Sequence, residues 1–403
     1  MSLIVQKFGG SSVADAKRVF NVAGIVTDTY KEGNDVIVVV SAQGDTTDDL
    51  IEKANEINPH ASKREMDMLL SSGEQISASL LAMAIEKLGL PVVSMTGWQA
   101  GITTDSNHSS ARIRKINPER IKNEIDQKRI VIVTGFQGTS KYDNITTLGR
   151  GGSDTSAVAL AAACHADLCE IYTDVDGVYT TDPRIVPEAK KLDEITFDEM
   201  LELASLGANV LHNRSVEMAK KYNVNLCVRS SLTRAEGTVV KEVVNMEKMM
   251  VRGVAKDCDV ARISLVGIED TPGKAFRIFS LLAKHNINVD IILQSIGRNN
   301  KKDISFTVSQ TKIDEVVDLI KSNKDNIGFE DFSYTTAVSK VSIVGAGMVT
   351  NPGVAAKMFE ALYEAQINIH MIATSEIKVS VLIDEGCEQK AVKVLHDKFE
   401  LAL

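Results

Sequence analysis

The chain has 403 residues, 44% of them hydrophobic, and a formal net charge of −9; that is enough apolar material for two or three packed domains. The acidic balance argues against nucleic acid or an anionic membrane as the main partner, and no apolar run approaches the roughly 20 residues of a membrane span. The N-terminus lacks a signal-like pattern, and five cysteines, at positions 164, 169, 227, 258 and 387, form no disulfide framework, so a reduced, cytoplasmic protein is expected. Cys164-His165 with Cys169 has no matching partner pair, and no metal site is expected there.

In chain order, residues 3–6 read as a short buried strand with Lys7 at its end. Gly9 and Gly10 permit a tight turn that approaches a ligand closely. Ser11 and Ser12 are candidate caps for a helix over 14–31. A strand, a glycine turn and a helix N-terminus form an anion site, because free N–H groups and the helix dipole face it. No Walker motif occurs anywhere. Further strands are expected over 36–40, 91–94, 130–133, 168–173 and 225–229, and a helix over 69–88 that ends at Gly89. Apolar strands separated by helices predict a mostly parallel sheet covered on both faces. Ligands then bind beyond the carboxyl ends of the strands, where Lys7, Ser41, Thr96, Gly135 and Asp174 fall.

A second glycine loop, Leu148-Gly-Arg150-Gly-Gly152-Ser153-Asp154-Thr155, precedes an alanine-rich helix. Ser153, Asp154 and Thr155 are candidate caps, and Arg150 is a planar cation suited to a carboxylate or phosphate.

Past a connection over 241–259 comes an internal repeat. Arg262-Ile-Ser-Leu-Val-Gly267, Pro272-Gly273 and Ile287-Asn288-Val-Asp290 parallel Lys340-Val-Ser-Ile-Val-Gly345, Pro352-Gly353 and Ile367-Asn-Ile-His370, at an offset of about 80 residues. Each copy reads strand, helix, strand, strand, helix. The first has a further strand near 329–335; the second has no room for one after its helix over 388–399. The spare segment 249–255 is expected to complete the second copy, so that the first is inserted in the second. Val341-Ser-Ile-Val-Gly345-Ala-Gly347 imitates a dinucleotide fingerprint, but Thr350 replaces the last glycine and no NAD site is expected.

The ordered set Lys7-Phe-Gly-Gly-Ser-Ser12, Val39-Val-Ser-Ala-Gln-Gly44, Ser72-Gly-Glu74-Gln75, Gly149-Arg-Gly-Gly-Ser-Asp154 and Tyr172-Thr-Asp-Val-Asp-Gly-Val-Tyr179-Thr-Thr-Asp182-Pro-Arg184 resembles the amino-acid kinase family, and within it the aspartate kinases. The likeness spans essentially the whole chain, and the repeat resembles the βαββαβ ACT ligand-sensing module. The resemblance implies an α/β kinase domain with a mostly parallel three-layer sandwich over 1–244, a first ACT module over 260–336, and a second over 249–255 plus 337–403. It implies ATP with Mg2+ and phosphorylation of the β-carboxylate of L-aspartate, on the way to lysine, threonine and methionine.

By the same resemblance, Lys7 stabilises the transferred phosphoryl group, and Gly9, Gly10, Ser11, Gly152 and Ser153 cradle phosphates. Arg150 takes the α-carboxylate, Glu74 the ammonium, Ser41 and Thr47 position the rest, and Asp154 orients the arginine-bearing loop. Thr173, Asp174, Tyr179 and Arg184 contact the nucleotide. The lysine that some relatives carry near Ser231 is absent, with Leu232 there instead. Amino-acid feedback is expected at the first ACT copy, around Asp270, Pro272, Gly273, Asn288 and Asp290, for lysine first and threonine next, in a homodimer or homotetramer joined through ACT modules. A glutamate or N-acetylglutamate kinase, and an amino-acid sensor with an inactive kinase half, are the alternatives.

Overall fold

The computed structural model describes residues 2–205, 210–243, 250–297, 299–348 and 351–402. The chain divides into two units, Met1–Tyr179 with Lys191–Glu247, and Thr180–Lys190 with Lys248–Leu403.

The first unit is built on an eight-stranded sheet. Its spatial order is Glu194–Thr196, Thr238–Lys241, Leu226–Ser230, Leu168–Thr173, Leu3–Phe8, Asp35–Val40, Ile130–Thr134, Val92–Met95. All neighbours run parallel except Leu226–Ser230 against Thr238–Lys241. The central strands are runs of β-branched residues buried on both faces, as a covered parallel sheet requires. Val36, Val38, Val40, Ile130 and Ile132 pack with Val22 and Val26 of the Ala16–Lys31 helix and Leu81 and Ile85 of the Lys63–Lys87 helix. Val5, Ile37, Val39, Val131 and Val133 alternate with them and are equally buried; the Gly152–Cys164 helix packs across Leu3–Phe8, Asp35–Val40 and Leu168–Thr173.

Local chemistry corrects several expected boundaries. The serines after the first glycine turn do not cap the following helix. Gly10–Val13 is a 3-10 turn, and Ala16–Lys31 starts at Asp15, whose side chain accepts from the Arg18 N–H at 2.9 Å. Ser12 instead meets the Ser231 hydroxyl at 2.7 Å. The long helix begins at Lys63 rather than 69. Ser62 caps it by accepting from the Glu65 N–H, so a Ser-x-x-Glu start lies in a polar stretch that apolar periodicity alone misses. By length and composition this helix is apolar enough to cross a membrane, but Asp67 and Glu74 are buried on its inner face.

The second unit holds two four-stranded antiparallel sheets. One orders Ile292–Gln294, Lys301–Val308, Ala261–Glu269, Asp331–Thr335; the other Gly253–Asp257, Val338–Val344, Lys378–Asp384, Met371–Thr374. Gly253–Asp257 precedes the first sheet in the chain yet pairs in the second, Gly253 opposite Val344 and Asp257 opposite Lys340. The first sheet is thus inserted in the chain of the second, and the strand starts four residues later than expected. Met249 and Thr350 lie outside the described residues. Thr180–Lys190 also belongs here. Val186 sits in the apolar core with Val254 and Leu395, the Thr180 carbonyl accepts from the Val254 N–H at 2.7 Å, and the Thr180 hydroxyl lies 3.0 Å from the buried His396 Nε2.

Candidate active site

The sheet order places Leu3–Phe8 between Leu168–Thr173 and Asp35–Val40. The chain leaves the first strand in one direction and reaches Leu168–Thr173 on the other side. A crevice opens beyond the carboxyl ends at such a reversal. Lys7 lies at that end of the first strand. The glycine turn follows, and Ser41 caps the next strand, its N–H donating to the Phe8 carbonyl at 3.1 Å. The Gly44 N–H donates to the Gly10 carbonyl at 3.1 Å. A Cβ on Gly10 would lie 2.6 Å from the Ala42 carbonyl oxygen, so the backbone packs there at a distance only glycine allows.

The second glycine loop faces this turn. Gly151 takes φ +67° and is the N-cap of the Gly152–Cys164 helix. Ser153, Asp154 and Thr155 are therefore not caps but fill the first turn, where backbone N–H groups lack intrahelical acceptors. Asp154 complements the positive end of the helix, and its carboxylate lies 2.7 Å from the Lys7 ammonium, both side chains 12% exposed.

A cavity of about 150 Å³ is lined by Lys7, Thr47, Glu74, Arg150, Ser153 and Asp154, among others. Sequence separation is large and convergence is close. Glu74 comes from the long helix. One of its oxygens accepts from the Ala42 N–H at 3.2 Å; the other is buried without a partner. Burial pushes its carboxyl up to about 7, against the opposing pull of backbone hydrogen bonds. Arg150 is exposed at the rim, and none of the described carboxylates pairs with it. The cavity thus offers two cations and a carboxylate with unused acceptor capacity. That set complements a small molecule bearing carboxylates and an ammonium.

Of the other residues singled out from the sequence, Gly9, Gly10 and Ser11 form the turn beside Lys7, and Thr173 ends its strand with its hydroxyl 2.9 Å from the Asp174 carboxylate. The Tyr179 hydroxyl donates to Asp176 at 2.7 Å, which pushes the phenol up to about 12. Arg184 lies in the second unit, ion-paired with Asp182 at 2.8 Å. At the expected effector positions, Gly273 is the N-cap of Lys274–Lys284 with φ +94°, Pro272 precedes it in the turn, and Asn288 is exposed. The carboxylates there already face lysines: Glu269 meets Lys274 at 3.2 Å, Asp270 meets Lys302 at 2.8 Å, and Asp290 meets the buried Lys340, which also reaches Asp257 at 3.2 Å.

Three residues that pattern reading missed hold the site in shape. Arg214 donates to the Leu148 carbonyl at 3.0 Å and the Ala111 carbonyl at 2.9 Å, fixing the base of the Arg150 loop. His212 packs where a Cβ on Gly151 would lie 2.2 Å from its ring, and burial lowers its pKa. Asp67, fully buried, accepts from the Ser109 N–H at 3.0 Å and the Thr147 hydroxyl at 2.6 Å, and lies 2.7 Å from His108 Nδ1. None lies in a glycine motif; only the Asp67-to-Glu74 spacing, two helical turns on one face, carries a signal.

Residues 2–230 match the amino acid kinase family, and residues 263–323 and 341–399 match the ACT domain. The chain is 51% identical over 403 residues to the aspartokinase of Bacillus sp. (strain MGA3) and 52% identical over 403 residues to that of Geobacillus stearothermophilus, covering 98% of each. It superposes on Escherichia coli aspartokinase III in complex with aspartate and ADP with a TM-score of 0.84 and 26% identity, covering 98% of this chain and 99% of that one. With the lysine and aspartate complex of the same enzyme the TM-score is 0.77. A glycine-turn lysine, an arginine loop and two four-stranded antiparallel sheets in this order, with half of all residues shared along the full length, make the chain a member of the amino acid kinase family, in its aspartokinase branch with ACT domains.

Proposed function

We propose that the protein transfers the γ-phosphoryl group of ATP to the β-carboxylate of L-aspartate, giving 4-phospho-L-aspartate and ADP. The observation that carries this is the single cavity in which Lys7, Arg150, Glu74 and Asp154 converge. The relative from Escherichia coli that binds aspartate and ADP supports it. Arg150 takes the α-carboxylate and Glu74 the ammonium. Thr47 and Ser41 position the β-carboxylate toward the phosphates. Lys7, held by Asp154, neutralises charge on the transferred group, which is where phosphoryl transfer needs help most.

The turn of Gly9, Gly10 and Ser11 and the helix start at Gly152 and Ser153 suit the phosphates, because both present backbone rather than side chains. Thr173, Asp174 and Tyr179 serve the nucleotide. Mg2+ supplies charge neutralisation on the phosphate oxygens. Among the described residues no group of three ligating side chains converges, so phosphate oxygens and water would hold most of its sphere.

The working parts are a kinase domain over 1–244 and two nested ACT modules, 260–336 inside 249–255 plus 337–403. These serve amino-acid feedback, for lysine first and threonine next, on a route toward lysine, threonine and methionine. The lysine complex of the Escherichia coli relative supports this reading. ACT pairing would give a homodimer or homotetramer, and five free cysteines suit a reducing cytoplasm. The test is ADP release with aspartate as the only acceptor, with hydroxylamine trapping of the acyl phosphate. ADP release with glutamate or N-acetylglutamate in place of aspartate, or with no acceptor at all, overturns the assignment.

A further inference from the structure

The loop that carries Arg150 is held on both sides by one helix start. The Asn213–Tyr222 helix begins at His212, its N-cap. Arg214, in its first turn, donates to the Leu148 carbonyl at 3.0 Å and the Ala111 carbonyl at 2.9 Å. On the other side of Arg150, the His212 ring fills the space beside Gly151, where a Cβ would lie 2.2 Å from it. Arg150 thus sits between a point gripped by Arg214 and a point wedged by His212. The two holds are joined, because the Arg214 N–H donates to His212 Nδ1 at 3.3 Å. The His212 carbonyl accepts from the Ser215 N–H at 2.9 Å and from its hydroxyl at 2.6 Å, which closes the turn.

Histidine is an unusual cap. Ser, Thr, Asp and Asn are preferred there, and their oxygens go on accepting throughout the neutral range. An imidazole accepts at Nδ1 only while it is neutral with its proton on Nε2. A proton on Nδ1 turns the acceptor into a donor aimed at the Arg214 N–H. It also puts a positive charge at the positive end of a helix. The charges around the ring are mixed. Arg150 and Asp154 act on it from the loop and the Gly152–Cys164 helix, and Arg214 and Glu217 from its own helix, which carries Lys220 and Lys221 at its far end. The Phe197–Ser205 helix packs on the same helix and carries Asp198, Glu199 and Glu202; Asp198 is turned to Lys220 and Glu199 to Thr196. Burial dominates, and it holds the ring's pKa below the ordinary 6.5. The fold therefore favours the neutral ring. The cap's contribution is complete above the ordinary value and is lost as pH falls through the folded one.

We propose that His212 is a proton-sensitive positioning residue: as a neutral cap it holds the Arg150 loop in its binding shape, and a proton on Nδ1 releases the loop and weakens binding of the substrate's α-carboxylate. This rests on the reading of Arg150 as the carboxylate site, and it adds an acid-side control separate from Glu74.

Imidazole nitrogen NMR and hydrogen exchange on the full-length chain test it without turnover. The imidazole signal missing from His212→Asn should show the Nε2–H tautomer at neutral pH and titrate on the acid side of 6.5. Exchange of the amides over 148–152, corrected for the pH dependence of free peptides, should rise about three- to tenfold in the wild type through the same titration. It should stay level in His212→Asn, whose amide oxygen caps without taking a proton. His212→Phe keeps a ring beside Gly151 but no acceptor, and should exchange fast at every pH. The KM for aspartate is read in Glu74→Gln, so that Glu74 does not contribute. It should rise by about the same factor as pH falls from about 6.5 to about 5, and the rise should vanish when His212→Asn is added. An Nδ1–H tautomer at neutral pH, wild-type exchange that ignores the titration, or a rise that survives in His212→Asn overturns the proposal. So does exchange that follows the titration while the KM for aspartate does not. If exchange behaves as expected but aspartate is no substrate, the functional reading fails and the proton-sensitive loop stands.

Discussion

The Lys7 ammonium lies 2.7 Å from the Asp154 carboxylate, the one at the end of the central strand and the other in the first turn of the facing helix. The pair ties together the two glycine loops. It also keeps the long lysine side chain extended toward the cavity, so little ordering remains to be done when substrate arrives. Lys7→Ala should lower kcat by about 10²- to 10³-fold, the usual loss when a charge-stabilising group at the reacting centre is removed. Asp154→Asn should lower kcat less, since the ammonium remains but is no longer aimed. Steady-state kinetics on folded protein decides. Near-normal kcat in Lys7→Ala would remove it from the chemistry.

Glu74 gives a pH prediction with opposite signs for binding and stability. Its carboxyl is pushed up to about 7 by burial. Below that pH the empty site holds it protonated; above, ionised. If the ionised form holds the aspartate ammonium, the KM for aspartate should fall as pH rises from about 6 to 8 in the wild type, and stay flat in Glu74→Gln. For folding, a carboxyl whose folded pKa lies above its unfolded value contributes fully below the unfolded pKa, and that contribution is lost as pH rises through the folded one. The difference is on the order of 3 kcal/mol. Glu74→Gln should therefore raise Tm over wild type at pH 8 but not at pH 4.5, while binding aspartate worse. A Tm difference independent of pH would contradict the buried, unpaired carboxylate.

How much of this was legible depends on how local the physics is. Lys7, Gly9, Gly10 and Arg150 announce themselves because strand, turn and helix start are consecutive in the chain and their chemistry depends on that order. The pairing of Gly253–Asp257 with Val338–Val344 was legible because a sheet that lacks a strand must find one. Glu74 could be placed only through family likeness, since nothing in its own helix says that one oxygen is left without a partner. Arg214 and His212 were invisible, and Asp67 showed only in its spacing from Glu74. Their partners lie far off in sequence, as with Arg214 on Leu148 and Ala111, and spacing encodes nothing at that range. The place of Thr180–Lys190 was hidden for a related reason. The segment continues directly from Leu168–Thr173 in the chain, yet Val186 and Thr180 are held by the second unit.

Arg214 should behave as a positioning residue. Its two hydrogen bonds to backbone carbonyls set the base of the loop that carries Arg150, and it does not line the cavity. Arg214→Ala should raise the KM for aspartate by about 10- to 100-fold, the scale of an ångström-size misplacement, with a smaller change in the KM for ATP. Arg214→Lys, which keeps the charge but loses the two-pronged donor, should fall between. An equal loss for both substrates would mean that the variant disturbs the whole domain, not the loop.

The last prediction concerns feedback. Asp270 and Lys302 form an ion pair at 2.8 Å, with Lys302 12% exposed and Asp270 47% exposed. An effector whose side-chain ammonium binds Asp270 must therefore compete with an ammonium the protein already supplies. This makes the two halves of the pair respond in opposite directions. Asp270→Ala removes the acceptor, so lysine should inhibit more weakly. Lys302→Ala removes the competitor, so lysine should inhibit at roughly two- to five-fold lower concentration, the range expected for a partly exposed pair. Uninhibited kcat should be unchanged in both, because neither residue lines the catalytic cavity. Threonine, with no second ammonium, should be nearly indifferent to Lys302→Ala. Inhibition curves for lysine and threonine on the three proteins separate the cases. If Asp270→Ala and Lys302→Ala weaken inhibition alike, the ion pair only holds the module together, and the effector binds elsewhere. If neither variant moves the curves, Asp270 has no part in sensing.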